Sequence, residues 1–192
     1  MQSSFFSMIL RMKYIDRWGL MRSTHNESLS EHTLDVAILA HALAVIATVR
    51  LGKNINAERV AMLAIYHDAS EIITGDMPTP VKYHDEAIIK AYKQVEKAAN
   101  ENLFSMLPSD IAAEYQDYFK KNEDDKELWK LVKAADKLSA LIKCVEEEKS
   151  GNTEFMKAKQ SILEHIHSLD MKEVKVFMQE FFEPFTKTLD EQ

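Results

Sequence analysis

Residues 30–50, SEHTLDVAILAHALAVIATVR, decide the architecture. Val36, Leu39, Leu43 and Ile46 recur at spacings of three and four, the interval that puts side chains on one face of an α-helix. Traced backward, the same face meets His32, so an otherwise apolar inward stripe begins with an imidazole. Gly52 ends the helix. Its mainly apolar part, from Val36 to Val49, is interrupted by His41 and falls short of the ~18 residues a membrane span needs. His41 lies nine residues past His32, about 180° around the helix, and does not share its face.

The same periodicity runs through most of the chain. Phe5, Met8, Ile9, Met12 and Ile15 predict a first helix that gives way at Asp16-Arg17-Trp18-Gly19, followed by the polar tract MRSTHNESLS. Asn56 is a natural N-cap for a helix over 57–73. Thr74-Gly75-Asp76-Met77-Pro78-Thr79-Pro80, the only segment with two prolines, must be a shaped loop. Ile88, Ala91, Tyr92, Val95, Ala98 and Leu103 mark a long helix, and Pro108-Ser109 opens a shorter one through Tyr115 and Tyr118. The run from Lys120 to Lys126 reads as an exposed charged connection. Leu128 to Val145 defines another long helix, closed by Ser150-Gly151-Asn152. Two more follow, the second through Val174, Phe177, Phe181 and Phe185, with Asp170 to Glu173 as a variant capping box. The expectation is an all-α helical bundle of roughly seven to nine helices, one domain over residues 1–192.

Composition agrees. Four glycines and four prolines in 192 residues are too few for the many corners of a β sandwich or barrel. The net charge of −7 disfavours a protein that coats a nucleic-acid polymer or an anionic membrane. The single Cys144 excludes an internal disulfide and a Cys-rich zinc site. The opening residues MQSSFFSMIL lack the basic region of a secretion signal, so a soluble cytoplasmic protein is expected.

Chemistry concentrates on three helices. Val60, Ala64, His67, Asp68 and Glu71 share one face of the 57–73 segment, which begins apolar and ends as His, Asp and Glu. In the later helix Trp129, Val132 and Asp136 align, with the small Ala134 and Ala135 beside them. Burying such carboxylates without partners costs several kcal/mol. A divalent cation would satisfy them together, and two imidazoles with two carboxylates suit Mn, Fe, Co, Ni or Zn better than Ca or Mg. The spacing leaves other readings open. His32 can be a core histidine bonded to a carbonyl, and Asp136 can pair with Lys133 or Lys137.

The strings S-E-H-T (30–33), Y-H-D-A-S-E (66–71) and A-A-D (134–136) resemble the HD-domain metal-dependent phosphohydrolases. R-W (17–18), G-D-M-P-T-P-V-K-Y (75–83) and C-V-E-E (144–147) resemble the bacterial 5′-deoxynucleotidase branch, over nearly the whole chain. The resemblance implies an HD-type bundle that hydrolyses deoxyribonucleoside 5′-monophosphates, depends on one divalent transition ion (Mn, Co, Fe, Ni, Cu or Zn) and forms a homodimer. It implies His32, His67, Asp68 and Asp136 as metal ligands and Glu71 as the catalytic carboxylate. Arg17 and Trp18 become substrate contacts, with Arg17 also serving catalysis. Asp76, Met77, Pro78 and Thr79 form a nucleotide-contacting loop, and His32, Asp68 and Asp136 also border the substrate.

Each role has a plainer counterpart: a surface salt bridge from Arg17 to Asp16, a core tryptophan at Trp18, an acid-ended turn at Asp76, and a solvent-exposed or metal-ligating Glu71. Phe177, Phe181 and Phe185 read as core or subunit contact, and Glu146-Glu147-Glu148 as a solvated face. The competing activities are another HD-type hydrolase, acting on a triphosphate, a cyclic nucleotide or an alarmone, and a non-catalytic scaffold stapled by its metal. Only five arginines, with Arg17 alone inside a motif, disfavour a triphosphate. Intact Glu71 and Arg17 disfavour the scaffold.

Overall fold

The computed structural model describes residues 2–120 and 122–192. Among them the α-helices are α1 (Phe5–Ile9), α2 (Leu29–Val49), α3 (Ala57–Ile65), α4 (Glu71–Thr74), α5 (Thr79–Lys82), α6 (Glu86–Ser105), α7 (Ser109–Phe119), α8 (Lys126–Lys149), α9 (Met156–Ser168) and α10 (Lys172–Glu180). There is no strand among the described residues, so the all-α expectation holds.

Helix starts follow local chemistry. Ser28 opens α2 with a full capping box: its hydroxyl accepts from the Glu31 amide, and the Glu31 carboxylate accepts from the Ser28 amide. Asn56 caps α3 through a 2.9 Å bond from the Arg59 amide, and Asp85 caps α6 through the Ile88 amide.

α2 is the central helix and packs on α3, α8 and α10. Val36, Leu43, Leu63, Leu138 and Leu141 are fully enclosed where these helices meet, and Cys144 is buried with them. α2 is longer than its apolar run suggests and meets the length and composition of a membrane span. However, 56% of its most apolar window is buried against the other helices, as befits a core helix.

Several expectations change. The first helix is α-helical only over Phe5–Ile9 and tightens to a 3₁₀ turn over Leu10–Tyr14. The 57–73 segment is not one helix. α3 stops at Ile65, and the amides of His67, Ala69 and Glu71 then bond three residues back, to Ala64, Tyr66 and Asp68, before α4 begins. The variant capping box at Asp170 does not form, since Met171 is the N-cap without a side-chain bond and Asp170 pairs with Lys175. Glu173 is instead buried and pairs with Lys53 at 3.1 Å. In the 120–126 connection Lys121 lies outside the described residues, and Asp125 is buried against Arg59, at 2.7 Å. Glu147 is 1% exposed rather than solvated, because it continues the buried stripe of Ala140 and Cys144. Phe177 is core, whereas Phe181 is exposed.

Candidate active site

Three segments bring the predicted ligands together. The first turn of α2 delivers His32, which is fully buried, with Nδ1 3.1 Å from Ser139 Oγ of α8. That bond leaves Nε2 facing Asp136 Oδ1 at 3.3 Å and Asp68 Oδ2 at 3.7 Å. The turn after α3 delivers His67 and Asp68. His67 Nδ1 donates to the Ala64 carbonyl at 2.7 Å, so its Nε2 faces Asp68 Oδ2 at 2.9 Å. Ala64 and Ala135, both fully buried, keep the surrounding helices free of bulk.

One ligand atom from each of His32, His67 and Asp68 lies within 4.8 Å of the others, and Asp136 joins them through His32. Both Nε2 atoms are buried without a hydrogen bond of good geometry, although carboxylate oxygens surround them. Ring nitrogens whose opposite nitrogens are fixed by Ser139 and Ala64, facing carboxylates, suit a divalent first-row cation. These four residues can hold one.

The charges are tightly coupled. Burial pushes His32 down, and Arg17 adds to that, so this ring stays neutral. Burial opposes charge on His67 too, but the adjoining Asp68 outweighs it and raises the pKa. Asp68 and Asp136 resist the same burial and lie below the carboxylate range, held there chiefly by His67 and His32 respectively. Glu71 differs. It is 4% exposed, and its Oε2 has no hydrogen bond. Burial, then Asp68 and Asp76, push its pKa up, while Lys82 at 3.9 Å and Arg17 offset only part. Burial and its acidic neighbours thus favour the protonated form of Glu71, which is neither exposed nor within the His32, His67 and Asp68 group.

Arg17 and Trp18 stand in a loop whose neck is closed by a β-bridge between Asp16 and Ser28 and by a bond from the Arg17 amide to the Glu27 carbonyl. Arg17 does not pair with Asp16. Its Nε donates to Glu27 Oε2 at 3.1 Å, and its Nη1 lies 3.9 Å from Asp68 Oδ2, beside the ligand cluster. Trp18 is half-buried, with its ring 5.2 Å from that of Phe155 and its indole N–H donating to Glu27 Oε2 at 2.8 Å. Its backbone takes the left-handed conformation at φ 61°, and its amide donates to Asp76 Oδ2 at 3.3 Å. The loop after α4 thus meets the Arg17–Trp18 segment through Asp76, using Gly75 at φ 73° for the turn. Among the described residues, Met77, Pro78 and Thr79 make no hydrogen bond or ion pair to the cluster. Pro78 instead supplies the carbonyl that starts α5.

A cavity of about 300 Å³ opens on His67, Asp68 and Asp136, with Lys82, Lys133 and Tyr83 on its walls. Arg17, Trp18 and Asp76 do not line it. Sequence reasoning missed Glu27, Ser139 and Lys82. Ser139 is three residues past Asp136 on α8 and was recoverable from helical spacing. Glu27 sits in an aperiodic polar tract and gave no signal.

Comparison with known proteins follows the same lines. A family model for YfbR-like 5′-deoxynucleotidases matches residues 4–185. A 5′-deoxynucleotidase of Vibrio vulnificus is 45% identical over 190 residues, covering 99% of this chain and 98% of its own. One from Photorhabdus temperata is 44% identical over 189 residues, covering 98% and 96%. Among solved structures, an HD-domain phosphohydrolase from Listeria innocua superposes with a TM-score of 0.83 at 24% identity, covering 95% of this chain and 88% of its own. The cyanophage S-2L HD phosphohydrolase DatZ, solved with dA and one catalytic Zn²⁺ ion, superposes at 0.64 with 20% identity, covering 95% and 96%. The fold is that of the HD-domain phosphohydrolases, and with relatives this close along nearly its full length the chain belongs to the YfbR-like 5′-deoxynucleotidase family.

Proposed function

We propose that the chain hydrolyses deoxyribonucleoside 5′-monophosphates to the deoxynucleoside and phosphate, with His32, His67, Asp68 and Asp136 holding one divalent transition ion. The observation that carries this reading is the convergence of two imidazoles and two carboxylates beside the Arg17 guanidinium and the buried Glu71 carboxyl. When bound, such an ion supplies Lewis-acid activation of water and charge for the phosphate oxygens.

The chain's own residues do the rest. Arg17 presents its Nη atoms to the phosphate while Nε stays with Glu27. A water oxygen adds to phosphorus and the bond to the 5′-oxygen breaks. Glu71, protonated before the reaction, delivers its proton to that leaving oxygen, and a proton from the attacking water restores it. Trp18 walls the 2′ face of the sugar, which excludes a hydroxyl there. Asp76 accepts from a sugar hydroxyl, and Met77, Pro78 and Thr79 shape the rim. His32, Asp68 and Asp136 border the phosphate.

The reading extends to the whole chain, 1–192, as one catalytic domain, cytoplasmic with its nucleotide pool, and to a homodimer. Leu34, Ile38, Val45 and Val49 form an exposed apolar line along α2 that a second copy would cover. The test is phosphate release from paired deoxy- and ribonucleoside monophosphates, after chelation and re-addition of individual metals. Metal-restored release favouring the deoxy substrate supports the function. Equal release from dAMP and AMP removes the sugar selection, and no release from any nucleotide removes the function.

A further inference from the structure

We infer that Glu27 is a positioning residue for substrate selection: its Oε2 ties the Arg17 guanidinium and the Trp18 indole into one fixed relation. This rests on the hydrolase reading above. Two donors from adjacent residues share a single oxygen, at 3.1 and 2.8 Å. Glu27 is 7% exposed, so water competes weakly for these bonds, and its negative charge makes both charge-assisted. The indole has only this one polar atom, so the bond fixes the ring's rotation as well as its depth. Phe155 packs edge-on against the same ring at 5.2 Å.

Glu27 itself cannot drift. Its carbonyl accepts from the Arg17 amide at 2.9 Å across the loop neck. The far end of the loop is held by Glu147, which accepts from the amides of Thr24 and His25, and by Lys143, which donates to the His25 carbonyl at 2.6 Å. Phosphate contact and exclusion of a 2′-hydroxyl are therefore set by the same carboxylate. Selection by exclusion is sensitive to shifts of about 1 Å, so loosening this oxygen should cost discrimination before it costs folding.

The test compares wild type, Glu27→Ala, Glu27→Gln and Trp18→Phe in metal-saturated turnover of dAMP and AMP, with thermal melting in parallel. Glu27→Ala should lower the deoxy-to-ribo ratio of kcat/KM by about tenfold, chiefly through a lower KM for AMP as the excluded 2′-hydroxyl gains room. Glu27→Gln keeps an acceptor oxygen and should restore the ratio to within about threefold of wild type. An Ala variant that keeps the ratio overturns the inference, as does a Gln variant as impaired as Ala. Should Glu27→Ala fail to fold, Trp18→Phe decides: it keeps a ring but loses the tether, and undiminished discrimination there overturns the inference. A wild type that releases no phosphate sinks the proposed function and this inference with it. A discriminating wild type beside an equally discriminating Glu27→Ala sinks this inference alone.

Discussion

Arg17 has more donors than one partner can use, and its geometry divides them between Glu27 and the cluster. A lysine at this place has one nitrogen and a point charge, so it lacks the planar fork that offers separate nitrogens to Glu27 and to a phosphate. Arg17→Lys should lower kcat/KM by about ten- to a hundredfold, checked by steady-state phosphate release. Glu71 offers a cleaner separation. It is buried, its pKa is pushed up by that burial, and it lies outside the His32, His67 and Asp68 group. Glu71→Gln keeps the shape and removes the transferable proton. It should lower kcat by roughly 10²–10⁴ while metal affinity, read by titration of the chelated protein, stays near wild type.

Elements carry these residues, and α8 shows how. Beyond Asp136 and Ser139, it buries Lys143 and Glu147 as a pair at 2.6 Å, and Glu147 also accepts from Thr24 and Asn152. Burial opposes the charge on Glu147, but these donors outweigh it and hold its pKa at about 2. A carboxyl with a depressed folded-state pKa stabilises above its unfolded value, near 4.5, and loses that contribution as pH falls through about 2. Glu147→Gln should therefore melt below wild type at neutral pH, by about 3 kcal/mol or roughly 6–12 °C. The gap should narrow between pH 4.5 and 2, checked by melting across that range.

The long periodic helices, α2, α6 and α8, were legible in the sequence because burial enforces their spacing over five or more turns. The break after Ile65 was not. Residues 66–71 contain no Gly or Pro and keep helical spacing, so the turn arises from tertiary packing rather than local propensity. The grouping of His32, His67, Asp68 and Asp136 was readable because each lies on or next to an apolar helical face. Glu27 was not readable, since nothing in an aperiodic loop says which side chain turns inward. Glu147 was misread as solvated because it sits in a run of three glutamates, although it falls seven residues past the buried Ala140.

At the scale of the molecule, the candidate ligands join α2, the turn after α3 and α8, through positions 35 and 68 residues apart in sequence, His32 to His67 and Asp68 to Asp136. An ion that binds only the folded arrangement stabilises it by mass action, by about 2.7 kcal/mol at a hundredfold excess over its Kd. Chelation should lower Tm, and re-addition should restore it in proportion to the logarithm of free metal. Asp136→Ala should flatten that dependence, which differential scanning fluorimetry with buffered metal would read.

Trp18 sits at φ 61°, where the chain tolerates few side chains. A saturation library at this codon should consequently split in an order unrelated to resemblance to indole. Asn and Gly, poor substitutes for an aromatic wall, should yield soluble protein, because both accept the left-handed basin readily. Val and Ile, nearer in bulk and greasiness, should be depleted already at expression, because a branched Cβ clashes with that backbone. Sorting first for soluble yield and then for turnover would resolve the two filters, and survival of Val and Ile at wild-type yield would contradict this account.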